Sequence, residues 1–265
     1  MSSNRKGRVP VRGVSYYYEV HGDGPPVLLL HGGLMSIDLL GPILPALAKS
    51  RQVIAVDQHG HGRTALGDRP LRLPDIADDL ADVLSHLGVA QADVVGYSFG
   101  AAVALRLAIQ HPARVRRLVL ASTAFSRDGF LPDALVAAGQ VGGHLVEAMK
   151  PSPMYRSYMA IAPDPSELPR LLDQMGETLR TPFDWSDEVR RLAMPVMLVY
   201  GDADTYRLEH IVEFYRLLGG GQRDAGWQRE HVGTNRLAIL PNVTHYEVFT
   251  SPALLPVIEP FLDGY

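Results

Sequence analysis

One serine stands out because of the residues around it. Ser98 lies in G-Y-S-F-G at residues 96–100, after an apolar run that predicts a strand and before small and apolar residues that predict a helix. A tight strand-to-helix turn strains the serine backbone and lifts its hydroxyl above the sheet, and the helix N-terminus behind it favours negative charge. The setting therefore predicts a nucleophile for acyl transfer. It also fits a glycine-flanked turn in which the serine only caps a helix.

A serine nucleophile needs further groups, because its hydroxyl is weak without a base, usually a histidine that a carboxylate orients. Two carboxylates, Asp202 and Asp204, follow a predicted strand at residues 196–200 in G-D-A-D. Asp202 directly follows the glycine at the strand end, where a short acidic side chain commonly bonds the backbone of its turn. Both carboxylates remain candidates at this point.

The composition limits the class of protein. The chain has 265 residues, which is long enough for one large α/β domain, or for a core with a modest insertion. With 46% hydrophobic and 20% charged residues and a net charge of -4, the composition is that of an ordinary globular protein. A negative net charge disfavours nucleic acid as a partner. With no cysteine, disulfides, a thiolate nucleophile and thiolate metal ligands are excluded. The N-terminal residues have no apolar core of a signal peptide, and no apolar run has the ~20 residues of a membrane span, so we expect a cytoplasmic protein.

The predicted elements alternate between strands and helices. Residues 14–20 alternate like an edge hairpin, and continuous apolar runs predict buried strands at residues 27–30, 53–56, 118–121 and 196–200. Amphipathic or small-residue patterns predict helices at 74–87, from 99 to about 110, at 209–218 and at about 253–262. This order predicts a mostly parallel twisted sheet with helices on both faces.

The alternation stops between residues 122 and 187, which we call the cap segment. It contains no convincing buried strand and many prolines, methionines and aromatic residues. Insertions of this length in compact folds are usually functional, although a poorly packed group of surface helices would look similar. We therefore expect a core of residues 1–121 and 188–265, with a helical cap that forms an adaptable apolar ceiling.

Several motifs together resemble the α/β-hydrolase family, in its serine esterase and cofactor-free haloperoxidase-like branch. They are H-G-G at 31–33, D-Q-H-G-H-G-R-T at 57–64, G-Y-S-F-G at 96–100, G-D-A-D at 201–204 and a late histidine, in the family's order and on the expected elements. The resemblance covers nearly the whole chain. It implies the α/β-hydrolase fold, and it implies that Ser98 stands at the nucleophile turn.

The resemblance also implies the partners of the serine. In the family's order a carboxylate and then a histidine follow the nucleophile, and the second acid of G-D-x-D orients the histidine, which selects Asp204. Among the late histidines, His210 falls within a predicted helix and His231 on the loop at residues 219–235. His245 follows the last strand and is therefore expected to be the base.

The resemblance further implies an oxyanion hole and a substrate pocket. The backbone N–H of Phe99 is one expected donor, and that of Gly33 in H-G-G, with Leu34 as the alternative, is the other. His31 is expected to brace this loop. The residues expected to contact the substrate come from the core and from the cap segment: Leu34, Tyr97, Phe125, Met154, Tyr158 and Met159.

Two remaining features receive simpler interpretations. His59 and His61 are a glycine-separated pair without nearby acidic or histidine ligands, so they are expected to belong to the D-x-x-G-x-G turn and not to a metal site. The polar loop at 219–235, with Trp227 and His231, runs from a helix into a strand. It should lie opposite the edge where ligands bind, as distal surface or as a subunit contact in a monomer or homodimer.

The expected activity is hydrolysis of carboxylic esters of small, largely apolar substrates, without a cofactor. The same residues would serve a cofactor-free haloperoxidase or perhydrolase, in which peroxide replaces water, and some proteins of this fold are small-molecule receptors. Epoxide hydrolases and haloalkane dehalogenases are disfavoured, because their pattern has an aspartate where Ser98 stands.

Overall fold

A computed structural model describes residues 4–264, which fold around one eight-stranded sheet with the strand order β1-β2-β4-β3-β5-β6-β7-β8. The strand β2 pairs antiparallel with β1 and β4, and all other neighbours are parallel. The predicted fold class is confirmed. The strands are β1 (Arg5–Val11), β2 (Val14–His21), β3 (Pro26–Leu30), β4 (Gln52–Val56), β5 (Ala92–Tyr97), β6 (Val115–Ala121), β7 (Val196–Ala203) and β8 (Arg236–Thr244).

Helices cover both faces of the sheet. The α-helices are α1 (Ile43–Leu47), α2 (Leu73–His86), α3 (Phe99–Gln110), α4 (Pro132–Gly139), α5 (Val146–Met149), α6 (Pro153–Ile161), α7 (Leu168–Arg180), α8 (Ser186–Val189), α9 (Leu208–Leu217) and α10 (Leu254–Asp263). Short 3₁₀ helices lie at Ile37–Leu39, Pro112–Arg114, Arg127–Gly129, Gly143–Leu145, Pro165–Glu167 and Val248–Thr250.

The core has two layers because the central strands bury side chains on both faces. Alternate residues of each central strand face opposite ways, so Leu28 packs in the layer with α2 and α3, and Leu29 packs in the layer with α1 and α10. Strands covered on both faces need continuous apolar runs. This is why the sequence predicts the central strands well.

The first strand is not predicted by the sequence. In β1 only Val9 and Val11 are buried, and the other residues are polar, exposed or partly exposed. Pairing with β2 along its whole length holds this strand in place. The strand β2 is consequently an interior strand bonded to β4, and β1 is the edge strand of the hairpin.

The last strand is longer than the predicted segment at 237–240. After a register shift beside Gly201, the pairing of β7 with β8 continues to Ala203 and Thr244. This extension carries the end of β8 to the edge of the sheet where β7 ends. The loop at 219–235 precedes β8, and Arg236 pairs with Met197 at the start of β7, so this loop lies at the opposite edge.

The cap segment contributes α4 to α7 and the start of α8, and no strand of the sheet. The expected boundary at residue 187 falls inside α8, which ends at Val189. The root of the cap segment is bonded to the loop after β7 by two backbone hydrogen bonds: the N–H of Leu131 donates to Thr205 (2.9 Å) and the N–H of Arg207 donates to Gly129 (2.8 Å). We call this pairing the strap. It fastens the start of the cap segment to the residues that directly follow Asp204.

The two ends of the cap segment are also bonded to each other. The N–H of Arg127 donates to Phe183 (3.0 Å), and the N–H of Trp185 donates to Phe125 (2.8 Å). The chain thus leaves and re-enters the core through one compact root.

Charge is unevenly divided between the core and the cap segment. The chain has 25 basic and 29 acidic residues, and residues 122–187 contain five of the basic and nine of the acidic ones. The core therefore has twenty basic and twenty acidic residues. The net charge of -4 therefore belongs to the cap segment. Among residues 4–264 no helix is both long enough and apolar enough to cross a bilayer.

Candidate active site

Ser98 occupies the sharp turn between β5 and α3. Its φ is 52° and its ψ is -116°, a conformation that costs energy for a residue with a Cβ atom and that recurs at functional sites. The N–H of Ser98 donates to the carbonyl of Ala121 (2.8 Å), which fixes the turn against β6. A Cβ atom at Gly96 or Gly100 would collide with neighbouring backbone, so close approach requires both glycines.

His245 lies in the loop after β8 and faces the serine. Its Nε2 is 3.0 Å from Ser98 Oγ. The hydroxyl of Tyr97 donates to the backbone carbonyl of His245 (2.7 Å), and the Tyr97 ring stacks on Phe249. The residue before the serine therefore holds the histidine loop against the turn.

Asp204 lies on the other side of the imidazole. Its Oδ1 is 2.8 Å from His245 Nδ1 and accepts the N–H of Thr205 at 2.7 Å. A carboxylate only accepts, so Nδ1 carries the hydrogen and Nε2 is left to accept from Ser98. Burial alone would raise the pKa of Asp204. The hydrogen bond and charge of His245, helped by Ser122 and Thr205, outweigh burial and hold this pKa below its ordinary value.

Asp202 has a different environment. It is exposed and its Oδ1 accepts the N–H of Val243 in β8 at 3.2 Å. Hydrogen bonds from the backbone of Asn242 and Val243 lower its pKa. The two acids of G-D-A-D thus point to different partners, and Asp204 is the one beside the histidine.

Ser122 contacts Asp204 as well, and the sequence analysis does not select it. Its hydroxyl donates to Asp204 Oδ2 at 2.6 Å. The residue directly follows β6, has a φ of 56° and is fully buried. One signal in the sequence could have found it: Ser122 is a hydroxyl residue that directly follows the predicted strand at residues 118–121, and only carboxylates were sought there.

The loop after β3 packs against the residue that follows the serine. A Cβ atom placed on Gly33 would lie 3.6 Å from Cβ of Phe99, so the loop after β3 and the start of α3 are in close contact. Among residues 4–264, the N–H groups of Gly33 and Phe99 have no hydrogen-bond acceptor. Leu34 has a φ of 60°, within a turn closed by Met35 N–H and the carbonyl of Gly32 (3.2 Å).

His31 joins this loop to the turn at residues 57–64. Its Nδ1 donates to the carbonyl of Gly32 (2.7 Å), and its Nε2 accepts the N–H of Gln58 (3.1 Å). The side chain of Gln58 donates back to the carbonyl of His31 (2.7 Å). Burial lowers the pKa of His31 to about 4, so the ring is neutral near pH 7.

His59 and His61 are buried within the same turn. Nε2 of His59 donates to the carbonyl of Leu66 (2.6 Å), and Nδ1 of His61 donates to the carbonyl of His59 (2.8 Å). The His61 ring stacks on Phe99 with centroids 5.3 Å apart. Burial lowers the pKa of His61 to about 3. Among residues 4–264 no group of three or more histidines and acidic residues is arranged to hold a metal ion.

One residue of the cap segment reaches the loop after β3. A Cβ atom on Gly33 would lie 2.7 Å from the methyl group of Met175, a buried residue of α7. The helix is fixed to the core because Leu71 N–H donates to Gln174 Oε1 (2.8 Å) and Thr178 Oγ1 donates to the carbonyl of Leu71 (2.9 Å). The composition of the cap segment does not distinguish Met175 from its other methionines.

The other expected pocket residues have varied surroundings. Phe125 is buried at the root of the cap segment, where its ring stacks on His210 with centroids 4.0 Å apart. On α6, Tyr158 is buried, Met154 is partly buried and Met159 is 41% exposed. His210 accepts the N–H of Phe125 at its Nε2 (3.3 Å), and burial lowers its pKa to about 4.

Comparison with known proteins decides the family. Residues 25–141 match the family model of the alpha/beta hydrolase fold. A pimeloyl-[acyl-carrier protein] methyl ester esterase of Aeromonas hydrophila is 30% identical over 215 residues, which cover 72% of this chain and 82% of that relative. The chain belongs to the α/β-hydrolase family.

Two other relatives match shorter segments of the chain. A putative carbamate hydrolase, RutD, of Azorhizobium caulinodans is 38% identical over 115 residues, and a 2-hydroxymuconate semialdehyde hydrolase of a Pseudomonas species is 43% identical over 107 residues. The aligned segments span 43% and 39% of this chain, and only 43% and 38% of the length of the two relatives.

Solved α/β-hydrolase structures resemble the whole chain. That of E-2-(acetamidomethylene)succinate hydrolase has a TM-score of 0.76 at 23% identity and covers 98% of this chain and all of the other. That of the carboxylesterase CesB from Bacillus subtilis has a TM-score of 0.72 at 21% identity and covers 99% and 93%. At these identities the likeness shows the fold alone.

Proposed function

We propose that this protein is a serine hydrolase that cleaves carboxylic esters of small, largely apolar substrates. One observation carries the proposal: a continuous hydrogen-bonded path runs from Ser98 Oγ through both nitrogens of His245 to Asp204, with distances of 3.0 and 2.8 Å. This is the arrangement in which a serine becomes a nucleophile at neutral pH.

Each group has one task in the reaction. Ser98 Oγ attacks the ester carbonyl carbon as its proton passes to His245 Nε2, and a tetrahedral oxyanion forms. His245 then gives this proton to the leaving alcohol, which leaves an acyl-enzyme. Water attacks the acyl carbon in the same way, and the acid departs as Ser98 recovers its proton. Asp204 holds the ring through Nδ1 and stabilises the imidazolium.

The oxyanion is stabilised by the amides of Gly33 and Phe99. The loop that carries Gly33 packs against Phe99, the residue after the nucleophile, and neither N–H has another acceptor in the described chain. One such donor is worth about 3 kcal/mol of transition-state stabilisation. Leu34 N–H is the alternative to that of Gly33, because it belongs to the same tight turn.

Apolar esters fit the groups that adjoin the site. The Met175 methyl group lies against Gly33, and the ring of His61 against Phe99 is neutral near pH 7. The cap segment carries the whole net negative charge of the chain, which disfavours anionic substrates. The esterase named for the Aeromonas hydrophila relative acts on a methyl ester, which favours ester hydrolysis over the other reactions of the family.

The test is a panel of neutral acyl and aryl esters beside matched carboxylate-bearing esters, with Ser98→Ala as the inactive control. We expect turnover of the neutral esters, weaker turnover of the anionic ones, and labelling of Ser98 by a serine-directed phosphonate. If the protein brominated monochlorodimedone in peroxide faster than it hydrolysed esters, its function would be that of a perhydrolase and not of an esterase. Tight binding of esters without turnover would instead indicate a receptor.

A further inference from the structure

We propose that Ser122 is a positioning residue for Asp204 and, through this carboxylate, for the ring of His245. This inference rests on the proposed function of Ser98, His245 and Asp204. Ser122 acts through the carboxylate and does not contact the substrate or the reacting atoms.

The two oxygens of Asp204 have separate partners. Oδ1 receives Nδ1–H of His245 (2.8 Å) and the N–H of Thr205 (2.7 Å). Oδ2 receives the hydroxyl of Ser122 at 2.6 Å and, at 3.3 Å, the N–H of Gly201. Of the two donors on Oδ2, the hydroxyl is much the closer. Together with the N–H of Thr205 on Oδ1, it fixes the rotation of the carboxylate and so the oxygen that faces the histidine.

The backbone of Ser122 is strained at the position from which its hydroxyl reaches Asp204. Ser122 has a φ of 56°, while its N–H donates to the carbonyl of Val199 in β7 (2.8 Å). Glycine or asparagine adopts this region at lower cost than serine. The residue is fully buried, so its hydroxyl needs a partner inside the protein. Asp204 is that partner.

The hydrogen bond also affects the charge of the carboxylate. A donor to an ionised carboxylate stabilises its negative form and lowers its pKa, and the hydroxyl of Ser122 contributes to the lowered pKa of Asp204. The donated hydrogen bond draws negative charge toward Oδ2. It therefore weakens the attraction between Asp204 and the positively charged form of His245. Loss of the hydroxyl should therefore shift the protonation of His245 to higher pH.

Three substitutions separate the hydroxyl from the strain. Ser122→Gly removes both the hydroxyl and the strain, and Ser122→Ala removes the hydroxyl but keeps the strain. Ser122→Asn restores a donor in a residue that tolerates positive φ. Ser126→Ala is the matched control, because Ser126 is a buried serine of the same segment whose side chain does not contact Asp204.

We expect Ser122→Gly and Ser122→Ala to lower kcat by about 10- to 100-fold with little change in KM, as for other groups that orient a reacting side chain. The acid limb of the kcat/KM profile should move up by about half a pH unit or more. Ser122→Asn should recover part of both effects. The Tm of Ser122→Gly should be no lower than that of Ser122→Ala. Ser126→Ala should keep the wild-type kcat and pH limb.

A wild-type kcat and acid limb in Ser122→Gly would overturn the proposal, and so would an equal loss in Ser126→Ala. The titration of the His245 ring, followed by proton NMR in wild type and Ser122→Gly, gives a readout that does not need turnover. If the His245 titration shifts although the protein hydrolyses no ester, the inference about Ser122 stands and the proposed function fails. If the ester is hydrolysed and the titration does not shift, only the inference about Ser122 fails.

Discussion

The core and the cap segment differ in how their contribution to the site is built. In the core, Ser98, Asp204 and His245 follow three different strands, β5, β7 and β8, and meet because parallel strands end at one edge of the sheet. In the cap segment, a single helix, α7, brings the Met175 methyl group to Gly33. The core also has balanced charge, whereas the cap segment has five basic and nine acidic residues.

This difference indicates a division of labour. The groups proposed for the chemistry are fixed at the ends of strands of one sheet, and changes there should alter turnover for every ester. The cap segment contacts the site through side chains of helices, and changes there should alter which ester is preferred. The following experiments would break or sharpen this division, in order of decreasing effect.

The largest effect is expected for Ser98→Ala. Removal of the nucleophile should lower kcat by about 10⁶-fold for every ester, as in a comparable arrangement of serine, histidine and aspartate. The Tm should change little, because the substitution removes only the hydrogen bond of the hydroxyl to His245 and keeps the Cβ atom of the turn. Turnover of the purified variant beside wild type tests this. A tenth of wild-type turnover would exclude Ser98 as the nucleophile.

A smaller loss is expected for Asp204→Asn. It should lower kcat by about 10³- to 10⁴-fold, because an amide favours the wrong tautomer of His245. Asp202→Asn is the matched variant, and it should mainly lower Tm by weakening the contact with Val243 in β8. Turnover and Tm are measured for both. If Asp202→Asn lost more turnover at an unchanged Tm, the two acids would have to exchange roles.

The buried histidines of the core predict acid sensitivity. His31 and His61 have pKa values lowered to about 4 and about 3, so between these values and about 6.5 the unfolded chain binds protons that the folded chain does not. Stability should therefore fall as the pH drops below about 6.5, by up to about 1.4 kcal/mol per pH unit for each histidine.

His61→Phe keeps an aromatic ring against Phe99 and removes one titrating group. Urea unfolding at pH 7, 6 and 5 should give a shallower loss of stability than wild type. His231→Phe changes an exposed histidine of the loop at 219–235 and should keep the wild-type slope. Equal slopes for all three proteins would show that His61 is not neutral in the folded state.

The smallest effect is expected in the cap segment. Met175→Ala should leave acetate esters little changed and raise kcat/KM for longer acyl or alkyl groups by about tenfold, since each additional buried methylene contributes about 0.8 kcal/mol. Met159→Ala, on the exposed part of α6, is the matched methionine variant. If Met175→Ala lowered kcat/KM equally for every ester, α7 would contribute to turnover itself and not to substrate preference. That result would contradict the proposed difference between the core and the cap segment.

The elements that sequence reasoning finds are those with local signals. The strands β3, β4, β6 and β7 contain continuous apolar runs, and Ser98 is marked by glycines on both sides. His245 could be selected because it follows the last strand, and Asp204 because G-D-A-D resembles the family's G-D-x-D. These features depend on residues that are neighbours in the chain.

The features that it misses depend on distant partners. The strand β1 forms because β2 is beside it, although only two of its side chains are buried. Ser122 is an ordinary serine until the fold brings Asp204 to 2.6 Å from its hydroxyl. Met175 is one of several methionines until α7 is bonded to Leu71.

The strap has a consequence for how this family could exchange its caps. Because Leu131 and Arg207 bond across it, a transplant that cut the chain at residue 122 would also remove the backbone support of the loop that carries Asp204. A foreign cap should therefore be joined after residue 131 and end before residue 183, which keeps the root of the native segment. Chimeras built with these junctions should retain turnover with altered substrate choice, whereas those joined at 122 and 187 should lose it. The root then belongs structurally with the core, and residues 132–182 form the exchangeable part of the cap segment.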